Sequence, residues 1–188
     1  TRARRGGGSL DVRANFSRYG SSLVLPDFAD TNFSSVINQR QLRVDLDTRP
    51  SPTLQAKVGG AIEWMGYDNL LETGGSQFGG GVGSGWLTGS YAQASWSRPR
   101  EWVIEVGTRL DLWHPNHGDQ ILEIAPRVAV KRFFDDGDLA LKLAAGRYTQ
   151  FLHSLRDEDL PIGLDLWVVA GDRAPPVVSD QIQLGIEG

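Results

Sequence analysis

Trp102-Val103-Ile104-Glu105-Val106-Gly107-Thr108-Arg109-Leu110-Asp111-Leu112-Trp113 is the stretch that decides the fold. Trp102, Ile104, Val106, Thr108, Leu110 and Leu112 share one parity, while Val103, Glu105, Gly107, Arg109, Asp111 and Trp113 share the other. A polarity that alternates every residue belongs to an extended strand with one apolar and one wet face. From Leu54 the pattern recurs, with Leu54, Ala56, Val58, Gly60, Ile62 and Trp64 opposed to Gln55, Lys57, Gly59, Ala61 and Glu63. Runs of this length exceed the five or six residues usual in soluble sheets and suit a tilted bilayer crossing of about 9–11 residues.

Parity reading extends in both directions to eight segments. They are about Ser9–Tyr19, Ser35–Asp47, the run from Leu54, Trp86–Trp96, the run from Trp102, Leu122–Phe134, Leu139–Gln150 and a last run from about Val178. Arg18, Arg40, Arg132, Arg147 and Asp180 break the apolar parity; Arg40 falls mid-strand, and long arginines near strand ends can snorkel to a polar layer. Short turns at Thr48–Thr53, Ser97–Glu101 and Asp135–Asp138 carry Pro or Asp-Gly chemistry. Longer links at Gly20–Ser34, Asp68–Gly85, His114–Ile121 and Phe151–Val177 alternate with them. An up-and-down outer-membrane barrel has this arrangement of tight turns at one end and long loops at the other.

The aromatics give a second line. Trp96, Trp102, Phe133 and Phe134 lie beside short turns. Phe16, Tyr19, Trp64, Tyr67, Trp86, Trp113, Tyr148 and Phe151 lie beside long links. Two belts flanking an aliphatic band are expected at bilayer interfaces.

Composition sets the bounds. The chain has 188 residues, enough for one domain, and a net charge of −4, so it presents no global basic field for nucleic acid. No apolar run reaches the roughly 18 residues of a membrane helix, which leaves a β-barrel untouched. With Cys 0, disulfide scaffolds, thiolate metal sites and cysteine nucleophiles drop out. The basic start Thr1–Ser9 lacks the apolar core of a signal peptide. A strand pattern still running at Ile182–Glu187 gives the expectation of a piece cut from a longer barrel.

Several local patterns invite sharper readings. His114-Pro115-Asn116-His117 with His153 could offer metal ligands, but a Pro-Asn turn with solvent-facing imidazoles is simpler, and no metal or cofactor is expected. Asp135–Asp138 lacks the distal glutamate of a calcium loop. Gly79–Gly85 lacks the spacing of a phosphate loop and reads as a flexible link. Arg156, Asp157, Glu158 and Asp159 read as a solvated loop. No nucleophile, base and acid can be combined, so an enzyme is not expected. On the wet parity, Arg13, Arg43, Asp45, Lys57, Glu63, Glu105, Arg109, Asp111, Arg127 and Lys142 make a mixed-sign wall suited to a lined passage or a plug contact.

Gly89-Ser90-Tyr91-Ala92-Gln93-Ala94-Ser95-Trp96, followed by Val106-Gly107-Thr108-Arg109-Leu110-Asp111, resembles the barrel of TonB-dependent outer-membrane receptors. Ala125–Val130, Ala145–Gln150 and the re-entry Pro176–Glu187 extend the resemblance from Ser9 to Gly188. It implies an all-β, antiparallel up-and-down meander of about eight strands within a barrel of roughly 22 strands around a plug. Residues 1–188 would be part of that transmembrane barrel domain, an open curved sheet in isolation with two aggregation-prone edges.

The resemblance also implies active uptake of a siderophore, cobalamin, haem or oligosaccharide across the bacterial outer membrane. Its partners would be outer-membrane lipid, a small-molecule ligand, and the TonB complex only through an N-terminal region not in this sequence. Ligand contacts are expected in outer loops and upper lumen, with Arg109, Asp111, His114, His117, His153, Arg156 and Trp167 as candidates. The Phe151–Val177 link stands out: Leu152, Leu155, Leu160, Ile162, Leu164, Leu166 and Trp167 predict a segment folded on itself or over the barrel mouth. The competing readings are a complete eight-stranded outer-membrane protein of structural or adhesive role, and a soluble carbohydrate-binding β-sandwich.

Overall fold

The computed structural model describes residues 2–4, 8–27, 30–134, 137–155, 165–171 and 174–188. Strands β1 (Arg2–Arg4), β2 (Gly8–Leu25), β3 (Thr31–Ser51), β4 (Leu54–Thr73), β5 (Ser76–Arg98), β6 (Trp102–Pro115), β7 (Ile121–Phe134) and β8 (Leu139–Gln150) follow in order. A small hairpin, β9 (Leu152–Leu155) and β10 (Leu166–Val169), precedes the last strand, β11 (Val177–Glu187). The sheet order is β1-β2-β3-β4-β5-β6-β7-β8-β11, every pair antiparallel, and β9 and β10 pair separately. Its eight long strands form an open, curved half-barrel. The end strands are not paired to each other, and no second sheet covers the apolar face, so the described structure is neither a closed eight-stranded barrel nor a sandwich.

The register carries the alternation across the sheet. One row of direct partners runs Val12, Val44, Gly60, Ser90, Leu110, Ile124, and the next runs Arg13, Arg43, Ala61, Gly89, Asp111, Glu123. Apolar positions therefore stack on one side of the sheet and charges on the other, because a period of two keeps parity through every antiparallel pair. On the apolar side, Phe16, Leu42, Val44, Ile62, Leu110, Leu122, Ile124, Val128, Leu143 and Ile182 are exposed, and among the described residues no second layer of strands covers them. A water-soluble core would bury these residues.

Aromatics bound this bare face. Phe16, Arg40, Trp64, Trp86 and His114 form one row of partners. Trp96 and Trp102 meet at the other end, with ring centroids 3.8 Å apart, and Phe134 lies close by in the β7–β8 hairpin. Trp86 and Trp96 are ten residues apart on β5, about 34 Å along an extended strand and about 24 Å across a sheet tilted by roughly 45°. That height matches the apolar band of a transmembrane barrel, about 25 Å. The belts are narrower than parity and proximity predicted. Tyr67, Trp113 and Phe151 take no part in them, because they pack together on the polar side of the sheet.

Two of the predicted long links are strand instead. β2 pairs β3 as far as Leu25 and Thr31, and β4 pairs β5 to Thr73 and Ser76. The alternation read as loop length is a difference in how far the hairpins project. Gly79–Gly85 is correspondingly part of β5 rather than a flexible link. Its glycines make bare seats: a Cβ at Gly83 would fall 2.5 Å from the Tyr67 ring, and one at Gly85 2.5 Å from Trp113. Arg40, the awkward mid-strand charge, lies with its guanidinium 5.2 Å from the Trp64 ring. Arg147 and Asp180 meet across β8 and β11 in two hydrogen bonds of 2.8 Å, so two of the parity exceptions satisfy one another.

Candidate functional site

The polar side of the half-barrel is built from short pairs. Arg13 with Asp11, Arg43 with Asp45 at 2.7 Å, and Arg109 with Asp111 at 2.7 Å each join residues two apart on one strand. Spacing by two puts both side chains on the same face, so each strand brings its own counter-charge. Cross-strand bonds join these units: Asn15 donates to Gln41, Gln41 to Glu63, and the Tyr91 hydroxyl to Asp45 at 2.7 Å. Gly59 permits the last of these, since a Cβ there would meet Asp45, Tyr91 and the Val44 carbonyl at 2.4, 2.6 and 2.8 Å.

A hollow of about 690 Å³ opens on this side. Arg43, Lys57, Tyr91, Gln93, Glu105, Arg109, Asp111, Arg127, Tyr148 and Phe151 line it, drawn from β3 to β8 and the segment beyond. Two arginine–tyrosine stacks face into it, Arg43 on Tyr91 at 5.5 Å and Arg127 on Tyr148 at 4.6 Å. Asp111 is buried, and its Oδ1 finds no partner among the described residues. An open, charge-lined hollow of this kind can hold a polar ligand or a polar protein surface by hydrogen bonds, with tyrosine faces as platforms.

The β9–β10 hairpin follows Phe151, which lines the hollow, and its second strand lies against β3, β4 and β5. It lies on the polar side, where Trp113, Met65, Leu87, Phe151, Val169 and Ala170 form the main buried cluster, with Tyr67, Ile121 and Leu152 against it. The Trp113 indole donates to the Ala170 carbonyl at 2.8 Å and stacks on Phe151 at 5.7 Å. Ser35 donates to Asn69 at 2.6 Å, and Asn69 donates to the Trp167 carbonyl at 2.7 Å. The predicted fold-back of the Phe151–Val177 link is thus an inward hairpin pinned to the wall at two points. Leu160, Ile162 and Leu164 lie outside the described residues.

The candidate residues divide. Arg109 and Asp111 line the hollow as a bonded pair. His153 and Trp167 sit on the hairpin, each with a buried ring nitrogen that has no partner among the described residues, Nε2 and Nε1 respectively. Burial pushes the His153 pKa down, against a smaller opposing pull from a hydrogen bond to the Pro175 backbone. His114 pairs with Trp86 on the apolar side, and His117 is exposed in the β6–β7 connection, so neither joins the hollow. Arg156, Asp157, Glu158 and Asp159 lie outside the described residues. Among the described residues no three His, Asp or Glu side chains gather as a metal site.

Sequence reading missed Ser35 and Asn69, an ordinary polar pair 34 residues apart whose meeting only the β3–β4 register creates. It also missed Tyr91 as a lining group, although its place on the charged parity was there to find. Compared with protein-family models, curated proteins and solved structures, the chain matches none.

Proposed function

We propose that this chain forms part of the wall of a bacterial outer-membrane β-barrel transporter of the TonB-dependent receptor type. The barrel takes up a small polar or chelated nutrient: a siderophore, cobalamin, haem or an oligosaccharide. The observation that carries this reading is the uncovered apolar face bounded by aromatic rows ten residues apart on β5. Water disfavours such a face, whereas lipid covers it without cost. The polar side then lines the lumen, and the charged hollow with its hairpin stands on the permeation side. Support for the receptor type comes from the Tyr91–Trp96 and Gly107–Asp111 motifs, which the structure joins as neighbouring strands β5 and β6.

Uptake assays on cells with and without the gene test the reading. Loss of energy-dependent uptake of one ligand class, restored by complementation, is the expected result. A product that leaves the envelope on alkaline carbonate washing, or normal uptake of all four classes in its absence, refutes the assignment.

A further inference from the structure

Five arginines of β2 to β8 stand on the apolar parity: Arg18, Arg40, Arg98, Arg132 and Arg147. Three have oxygen partners. Arg98 pairs with Glu101 at 3.3 Å, Arg132 donates to the Glu101 carbonyl at 3.3 Å, and Arg147 is held by Asp180. Arg18 and Arg40 form no ion pair among the described residues, and both are exposed. They are also neighbours. Arg40 is the direct partner of Phe16 and Arg18 that of Asn38, which makes the arginines a diagonal pair about 7–8 Å apart at the backbone.

Their height on the sheet matters. Arg40 belongs to the aromatic row Phe16, Trp64, Trp86, and one row further out the apolar face turns polar through Arg18, Asn38, Gly66 and Ser84. Gly66 leaves room for the Trp64 ring, whose atoms would lie 2.7 Å from a Cβ there. The indole thus lies across Gly66 with the Arg40 guanidinium against its ring. The nearest acid on that face in the register, Asp68, stands one row beyond Gly66 and two strands from Arg18. At the opposite rim, by contrast, Glu101 answers both arginines.

We propose that Arg18 and Arg40, beside Trp64 and Asn38, clamp a phosphate of an anionic lipid headgroup at the long-hairpin rim. The inference rests on the membrane reading above. Two guanidiniums at headgroup depth without a protein counter-charge complement a phosphate group, to which arginine bonds in a fork. The neighbouring apolar face holds the acyl chains of the same molecule.

The test uses the full chain folded in detergent, with native mass spectrometry reading bound lipid. The probes are lipid A with two phosphates, lipid A with one, and inorganic phosphate. The wild type is expected to retain the two-phosphate lipid at least about tenfold better than R18Q/R40Q, while R98Q/R132Q matches the wild type. The one-phosphate lipid should be retained less, and inorganic phosphate should not compete at equal concentration. Equal retention by R18Q/R40Q and wild type overturns the clamp, as does competition by free phosphate, which marks a soluble-anion site. Heat-modifiable migration separates the two readings: a chain that never folds in detergent sinks the membrane reading, whereas one that folds with unchanged retention sinks the clamp alone.

Discussion

Replacing Leu110 by arginine separates a lipid-facing surface from a water-facing one. Leu110 is 43% exposed and has Ser90 and Ile124 as its register partners. It lies four residues from the His114 row and six from Ile104, the partner of Trp96, so it stands near the middle of the band. In water, an exposed leucine on a strand tolerates arginine within about 0.5 kcal/mol. At the midplane of a bilayer the same change costs about 2–4 kcal/mol, a fall of roughly 30- to 900-fold in the folding equilibrium.

Val82→Arg provides the comparison. Val82 is 75% exposed on the same side, but its row lies beyond the aromatic belt, where arginine costs about 0–1 kcal/mol. Both variants and the wild type are unfolded with guanidinium in phosphatidylcholine vesicles and followed by tryptophan emission. The expected order is wild type and Val82→Arg together, with Leu110→Arg lower by the amount above. If Leu110→Arg and Val82→Arg cost the same fraction of a kcal/mol, the apolar face does not meet lipid, and the transporter reading falls with it.

Other consequences concern the polar side. Trp113→Ala removes the largest buried side chain and the bond to Ala170, at about 3–5 kcal/mol; amide exchange over Leu166–Val169 should accelerate well before that of β6. Asn69→Ala breaks the tie to Trp167 and strands Ser35, costing about 1–3 kcal/mol and loosening the same amides, whereas unchanged exchange would remove Asn69 as an anchor. Gly59→Ala drives a methyl against the Val44 carbonyl, which cannot swing aside; about 1–3 kcal/mol of destabilisation is expected by guanidinium titration. His153 titrates below the ordinary histidine range when docked, so the undocked segment binds more protons in mild acid. Docking is therefore at full strength above about pH 6.5 and weakens as pH falls through that value. The hairpin's opening equilibrium, read as protection factors that divide out the intrinsic pH dependence of amide exchange, should rise from pH 8 to pH 5 in the wild type and change less in His153→Phe.

Parity was legible because it is local: each strand announces its two faces without knowing its neighbours. The wall residues Arg43, Asp45, Arg109 and Asp111 could be placed on the wet side for that reason. Hairpin length was not legible. Serine, asparagine and glycine between Gly20 and Ser34, or between Asp68 and Gly85, have weak strand propensity, and pairing with a partner overrides it. The aromatic belts were half legible, since proximity to a turn gives height but not side. Trp113 sits at belt height on the charged parity, and that parity gave away its inward direction. The two anchors of the hairpin were invisible, because Asn69 and Trp167 are 98 residues apart and nothing local marks them as partners.

The distribution of charge within the wall explains how so polar a surface leaves room for the hairpin. Asp11 with Arg13, Arg43 with Asp45, and Arg109 with Asp111 are each neutral on a single strand. Where such a pair is exposed, as at Arg13, it contributes at most about 1 kcal/mol. The effect of the pairs is to leave little net field across the face, and a neutral segment can then dock without meeting an uncompensated charge. The docked contacts fit this: the Ala170 and Trp167 carbonyls, the Trp113 indole and the Asn69 amide are all uncharged. Beside the cluster, Asp111 is the exception, one residue row from Trp113 and buried with an oxygen that has no partner among the described residues. A buried carboxylate oxygen without a partner forgoes part of its solvation, so this is the point of the wall where packing is least well compensated.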